Sequence, residues 1–340
     1  MRRPTISDVA RAAGVSKTTV SHALNGAGRV NLETRAAIQE AANRIGYQPN
    51  VVAKALRTGN SKLIAVINAM PAEITSDYGR LAYYLAVANS AAQEALKRSY
   101  AAILVPPRSQ VDWVRHVGIE GAIVMDPQAD DRILRVLADL GLPVVTLGRD
   151  PGHEADSWYV DADMAAAATM VLDHFAELRE CRPALVLAEE RRSYSLDTLA
   201  GYQKWVSARG LPSIIFTAPE IGAETAGQEA VARLLHAHPG VNAIYSPLEA
   251  FATGALTAIS EAGFAVPEDI QLATLDGVQA RISRPALTAI DAMPMQAARR
   301  AVELLFLQIA NRTALPQREL LAPKLIVRQS TGRSCQSDGY

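Results

Sequence analysis

Lys17, Thr18, Ser21 and His22 form the most suggestive polar group in the chain. On a helix they share one face, and each is a short or mobile hydrogen-bonding group. Such groups enter the major groove of duplex DNA without steric conflict and can meet donors and acceptors on base edges. Constellations for reaction chemistry do not form. His22, His116, His153, His174, His236 and His238 show no metal spacing of the His-Glu-x-x-His kind. No Gly-x-Ser-x-Gly elbow and no phosphate-cradling glycine loop occurs. Cys181 and Cys335 are too few for a disulfide framework or a zinc site, and read as incidental thiols. The expectation is a protein that is not an enzyme, with no metal and no cofactor.

The elements around those four residues are short helices. Thr5 is placed to cap a helix in which Ile6, Val9, Ala10 and Ala13 form an i, i+3, i+4, i+7 stripe. Gly14 suits the left-handed conformation that ends it. Ser16 is a second cap, and Lys17 to Leu24 a second helix that turns Val20, Ala23 and Leu24 inward. A third helix runs from about Leu32 to Ile45, stopped by Gly46 and Pro49. Small Ala10 at the crossing, Gly14 at the turn and Val20 between the helices meet the steric demands of a helix-turn-helix, though any three-helix domain shares part of this pattern. A further helical stretch, Asn50 to Thr58, is shorter than the ~12–15 residues at which an isolated helix becomes stable in water, so it needs a partner to stay folded.

Charge separates this head from the rest. The chain has 340 residues and a net charge of −1, but residues 1–60 hold nine Lys/Arg against three acids. They carry +6 and the remainder −7, a basic module on an acidic body. With 49% apolar and 20% charged residues the chain folds rather than stays disordered. Aromatics make up only 5%, so its core must rest on aliphatic residues and alanine. No run of 18 uninterrupted apolar residues suggests a membrane span. The first residues lack the apolar stretch of a secretory signal, and the expected location is the cytoplasm.

From Leu63 onward, apolar strand-like runs alternate with helical segments. The runs are Leu63–Met70, Tyr100–Val105, Gly121–Asp126, Pro143–Gly148, Ala184–Ala188, Ser213–Thr217, Val241–Ser246 and Ile270–Asp276. This alternation predicts an α/β fold of parallel sheets covered by helices. Eight strands over this length fit two doubly wound subdomains better than one sheet, with a closed β/α barrel as the rival.

The segment Thr5-Ile-Ser-Asp-Val-Ala-Arg-Ala-Ala-Gly-Val-Ser-Lys-Thr-Thr-Val-Ser-His-Ala-Leu-Asn25 is similar to the opening signature of the lactose-repressor (LacI-type) family of bacterial transcription regulators. Asn31-Leu-Glu-Thr-Arg35 and Ile45-Gly-Tyr-Gln-Pro-Asn50 resemble that family's third helix and hinge. Sparser similarities follow in the family's order: Gly121-Ala-Ile-Val124, Val160-Asp161, Val266-Pro-Glu-Asp-Ile270, Asp276, Pro285-Ala-Leu-Thr288 and Leu325-Ile-Val-Arg328.

The resemblance implies a helix-turn-helix head (1–48), a hinge helix (49–60) and a core of periplasmic-binding-protein type (61–340). The core would divide into an N-subdomain of about 61–161 plus 291–322 and a C-subdomain of about 162–290 plus 323–340. It implies a homodimer on double-stranded, pseudo-palindromic operator DNA and a repressor modulated by a small effector: a sugar, a sugar acid or a purine-like molecule. Lys17, Thr18 and His22 would contact bases, while Ser16, Ser21 and Asn25 hold phosphates and Thr5 joins the DNA-facing set. Leu56 would wedge into the minor groove between Lys54 and Arg57, unless it packs on the body or on its dimer mate.

In the cleft, Asp276 would accept hydrogen bonds from the ligand, or else cap the following turn. Asn68, Tyr78 and Arg149 would line the same space, and Asp161 would belong to the crossover between subdomains. Three positions depart from the family pattern: Thr198 stands for an arginine, Glu249 for an aspartate and Ala162 for an asparagine. Arg191 and Arg192 are candidates to replace the missing fork, with a solvated surface pair as the other reading. A regulator of this fold without ligand response, or a solute-binding protein, is the alternative function.

Overall fold

The computed structural model describes residues 4–25, 30–47, 61–70, 78–105 and 113–332, with the backbone alone for Asn25 and Tyr78. The chain divides into two units, Met1–Ser61 and Lys62–Tyr340. The expected hinge, with Lys54, Leu56 and Arg57, lies outside the described residues, as does Cys335.

The first unit holds α1 (Ile6–Ala13), α2 (Lys17–Asn25) and α3 (Leu32–Arg44). Each start is capped by its own sequence. Asp8 Oδ2 accepts both the Thr5 N–H (2.9 Å) and the Thr5 hydroxyl (2.7 Å). Ser16 Oγ accepts the Thr19 N–H at 3.0 Å, and Asn31 Oδ1 that of Thr34 at 2.7 Å. Gly14 ends α1 at φ 65, where a side chain would be strained. Val9, Val20 and Ile38 are fully buried between the three helices, with Ala10, Ala23 and Ala42 small enough to let them approach.

In the second unit, β1 (Leu63–Asn68), α4 (Tyr78–Lys97), β2 (Ala101–Val105), α5 (Val114–Val117), β3 (Gly121–Met125), α6 (Arg132–Asp139), β4 (Val144–Leu147) and β5 (Tyr159–Ala162) come first. They are followed by α7 (Met164–Leu178), β6 (Pro183–Ala188), α8 (Ser193–Ala208), β7 (Ile215–Ala218), α9 (Ala223–Ala237) and β8 (Ala243–Tyr245). Next come α10 (Glu249–Glu261), β9 (Gln271–Leu275), α11 (Val278–Ile282) and β10 (Thr288–Asp291). Last are α12 (Pro294–Ala310), β11 (Arg318–Leu321) and β12 (Lys324–Ile326).

The strands form two open six-stranded sheets, ordered β11-β5-β4-β3-β1-β2 and β12-β10-β9-β8-β6-β7. Every pairing is parallel except β10 with β12. Two open sheets, each with free edges, exclude the barrel.

Among the described residues the chain passes between the two lobes three times: after β5, after β10 and after β11. At the first crossing the Asp163 N–H donates to the Leu321 carbonyl (3.0 Å) while its carboxylate accepts from the Ala166 N–H (2.9 Å), capping α7. At the second, Asp291 Oδ1 accepts the Met293 N–H at 2.7 Å.

The apolar runs of the sequence all fall on strands, but β5, β10, β11 and β12 had no such run. They have three or four residues each, and Asp161, Asp291, Arg318 or Lys324 interrupts their apolar character. Alanine fills the interior where aromatics are few: Ala230, Ala252 and Ala255 are fully buried beside Phe251 under the second sheet. Cys181 is buried as well, which pushes its thiol up to about 12 and leaves it unreactive.

Candidate DNA-reading face and effector cleft

Helix α2 has two sides. Val20 and Ala23 enter the core, while Ser16, Lys17, Thr18 and His22 are exposed and Ser21 is half-buried. The face that the sequence assigns to DNA is therefore open and hydrogen-bond capable. Two of its members have local duties: the Ser16 hydroxyl lies 2.8 Å from Thr19 Oγ1, and the Thr5 hydroxyl is held by Asp8. Lys17, Thr18 and His22 remain the long or terminal groups. Asn25 continues the same helix by its backbone.

In the second unit a cavity of about 140 Å³ opens at the carboxyl ends of strands from both sheets, where open α/β sheets bind ligands. The first lobe supplies Arg80 and Tyr83 from α4, Asp126 after β3 and Asp161 on β5. The second lobe supplies Tyr194 from α8, Glu249 from α10 and Asp276 after β9. Much of the remaining wall is aliphatic, including Leu147, Met164, Leu248 and Ile290.

Glu249 and Asp276 thus line the cavity, as the sequence suggests, but both carboxylates have protein partners. Glu249 Oε1 accepts the Ala280 N–H at 2.6 Å and caps α11. Asp276 Oδ1 accepts from Arg328 Nη2 at 2.6 Å, and Oδ2 from Arg281 Nη2 at 2.5 Å. Asn68, Arg149 and Thr198 are not on the wall. The Asn68 amide oxygen turns back to the Met70 N–H (3.0 Å), and the fully buried Thr198 hydroxyl donates to the Tyr194 carbonyl (2.7 Å). Arg149 spans the lobes, from the end of β4 to Asp197 on α8 (2.5 Å), with Asp161 at 3.5 Å and Glu154 at 3.3 Å. Tyr78 opens α4, and Gly79 and Arg80 of the same turn reach the cavity.

Asp161 both lines the cavity and precedes the crossover. Burial pushes its carboxyl up to about 6, against Arg149 and the Ala162 N–H. The folded value lies above the ordinary 3.8, so protonation favours the folded state. The stability from this group is present below pH ~4 and lost as pH rises through about 6. The expected loss is up to about 3 kcal/mol across that window. Urea unfolding at a series of pH values should show this fall, and Asp161→Asn should flatten it.

Behind the cavity lies a buried network that the sequence reading missed. Arg80 Nη2 donates to Glu220 Oε1 (2.9 Å) and to the Tyr194 hydroxyl (3.1 Å), which itself donates to Glu220 Oε1 at 2.6 Å. Arg192 Nη1 donates to the Asp126 carbonyl (2.9 Å), with Nη2 3.7 Å from Glu220 Oε2. Arg192 is 1% exposed and Glu220 2%. Arg191 is on the surface, but Arg192 is not the solvated residue that one reading expected, because it inserts between the lobes. Of this network the sequence reading named Arg192, as a candidate for the missing fork, and Asp126 only as the last residue of the run Gly121–Asp126. Burial holds Asp126 above the usual carboxylate range, against the pull of Arg80 and Arg192.

Known proteins share both units. Residues 5–50 match the model for bacterial regulatory proteins of the lacI family, and residues 172–331 that for a periplasmic binding protein-like domain. The HTH-type transcriptional regulator AglR of Rhizobium meliloti is 30% identical over 339 residues, covering 96% of this chain and 94% of AglR. The chain belongs to the LacI family. CelR of Thermobifida fusca is 27% identical over 97% of this chain and 98% of its own length. Among solved structures, the lac repressor dimer bound to operator and an anti-inducer superposes with a TM-score of 0.83 at 22% identity, covering 98% of this chain and all of that one. A CelR–cellobiose complex gives 0.74 at 24% identity over 96% of this chain and 100% of its own. Like its LacI-family relatives, this protein is a DNA-binding transcription regulator and not an enzyme. No helix among the described residues is long and apolar enough to cross a membrane.

Proposed function

We propose that this LacI-family protein represses transcription as a homodimer on a pseudo-palindromic operator and that a small effector in the cleft sets its affinity. The observation that carries this reading is the open face of α2, Lys17, Thr18 and His22, on a head whose other side is packed. The head (1–48) reads the major groove, the hinge (49–60) orders against its dimer mate in the minor groove, and the core (61–340) binds effector. An effector that shifts the lobes changes the cost of that ordering, and a differential of ~1–3 kcal/mol alters operator affinity 5–150-fold. The cellobiose-bound relative supports a sugar as the effector class.

Dimerisation has its seat in the apolar face that joins α4 and α11. Leu81, Leu85 and Ile282 are 39%, 49% and 60% exposed there, on helices that touch. A homodimer acting in the cytoplasm accounts for that face and for a two-fold operator. Replacing Leu56 by alanine should weaken binding to the operator at least tenfold while leaving binding to random duplex nearly unchanged. Fluorescence anisotropy with both duplexes reads the two affinities, and equal losses would rule out the wedge.

A further inference from the structure

We infer that Asp126 is a carboxylate that recognises the effector, and that the cleft accepts uncharged or cationic ligands presenting O–H or N–H donors while rejecting anions. This rests on the cleft being the effector site. Asp126 follows β3 at φ 47, a left-handed conformation that aspartate tolerates better than most residues. Its side chain lines the cavity, and among the described residues it makes no hydrogen bond.

Its neighbours explain why it stays available. Gly148, at φ 81, leaves room for it: a Cβ there would sit 3.3 Å from Asp126 Oδ1. The two nearby arginines direct hydrogen bonds elsewhere, Arg80 to Glu220 and Tyr194, and Arg192 to the Asp126 main-chain carbonyl. The other cavity carboxylates are engaged. Asp276 is held by Arg281 and Arg328, Glu249 by the Ala280 N–H, and Asp161 by the N–H groups of Ala162 (2.8 Å) and Arg149 (3.2 Å). A half-buried carboxylate at a cavity wall, largely withdrawn from water and without a donor, is costly unless a ligand supplies one. Asp276 and Asp161 are neutralised by their arginines and Arg80 by Glu220, so the carboxylate that meets an incoming carboxylate or phosphate is Asp126, which repels it.

The test is a thermal-shift series on the full chain with matched probes: cellobiose and cellobionate, glucose and glucose 6-phosphate, adenosine and adenosine monophosphate, and glucosamine. Wild type, Asp126→Asn and Asp276→Asn are compared; asparagine keeps the left-handed backbone at 126. The expected result is a rise in Tm with an uncharged or cationic probe that exceeds the rise with its anionic counterpart. That probe's affinity falls at least tenfold in Asp126→Asn, whose unliganded Tm is no lower than wild type. Asp276→Asn melts lower than wild type, because Arg281 and Arg328 lose their counter-charge. A larger shift from an anion, a shift that survives in Asp126→Asn, or a lower unliganded Tm for that variant overturns the assignment. No shift with any probe overturns the effector reading itself and the assignment with it.

Discussion

Replacing Glu220 by alanine lowers the stability of the core by about 3–5 kcal/mol, because it removes the buried carboxylate that Arg80 and the fully buried Arg192 share. For a unit of this size that corresponds to a fall in Tm of about 5–10 °C. Arg80 loses an acceptor at 2.9 Å and keeps only its 14% exposure toward the cavity, while Arg192 loses a carboxylate at 3.7 Å and, 1% exposed, cannot reach water without opening the lobes. Glu220→Gln should cost less, since it keeps an acceptor for Arg80 and the Tyr194 hydroxyl but not the charge. The contrast is Glu319→Ala. Its partner Arg300 is 41% exposed, and a surface pair contributes about 0–1 kcal/mol. Scanning calorimetry of the three variants decides the matter: a Glu220→Ala chain that melts within a degree or two of wild type contradicts the buried network.

The second large effect belongs to α2. Lys17→Ala and His22→Ala each remove a terminal group from the exposed face without touching the core, so each should cost about 1–3 kcal/mol of operator binding, roughly 5–150-fold. A base-reading residue changes which duplex is preferred, while a phosphate-holding residue weakens all duplexes alike and lowers the salt slope by about one. Thr18→Ala belongs with the first kind. Equal affinity of wild type and both variants for the selected operator would remove this face from recognition. Far-ultraviolet circular dichroism confirms that the head remains folded.

The head was legible because its determinants are local. Caps lie three residues from their hydrogen-bond partners, Gly14 supplies the left-handed stop, and the stripe of Ile6, Val9, Ala10 and Ala13 needs no distant partner to be recognised. The parallel sheets were legible for a related reason, since strands covered on both faces are continuous apolar runs. The strands at the crossings were not, because pairing rather than composition makes them strands. Asp161 sits on β5 only because β4 and β11 flank it.

The cleft was half legible. Asp276 and Asp126 both end strand-like runs, and sequence alone does not distinguish a carboxylate already held by Arg281 and Arg328 from one without a donor. Arg80 and Glu220 lie 140 residues apart, and Thr198 turned out to face its own helix. Such contacts are set by how two lobes meet, and no periodicity encodes that.

The central claim is that α2 reads a two-fold DNA site in a dimer. Selection from a pool of random duplexes by the full chain, followed by binding isotherms across a salt series, tests it most directly. A duplex with two dyad-related half-sites should be enriched and bound at least a thousandfold tighter than random sequence, with affinity falling steeply as salt rises. Enrichment of no sequence, of a single unsymmetric half-site, or of a duplex whose affinity ignores salt would contradict it.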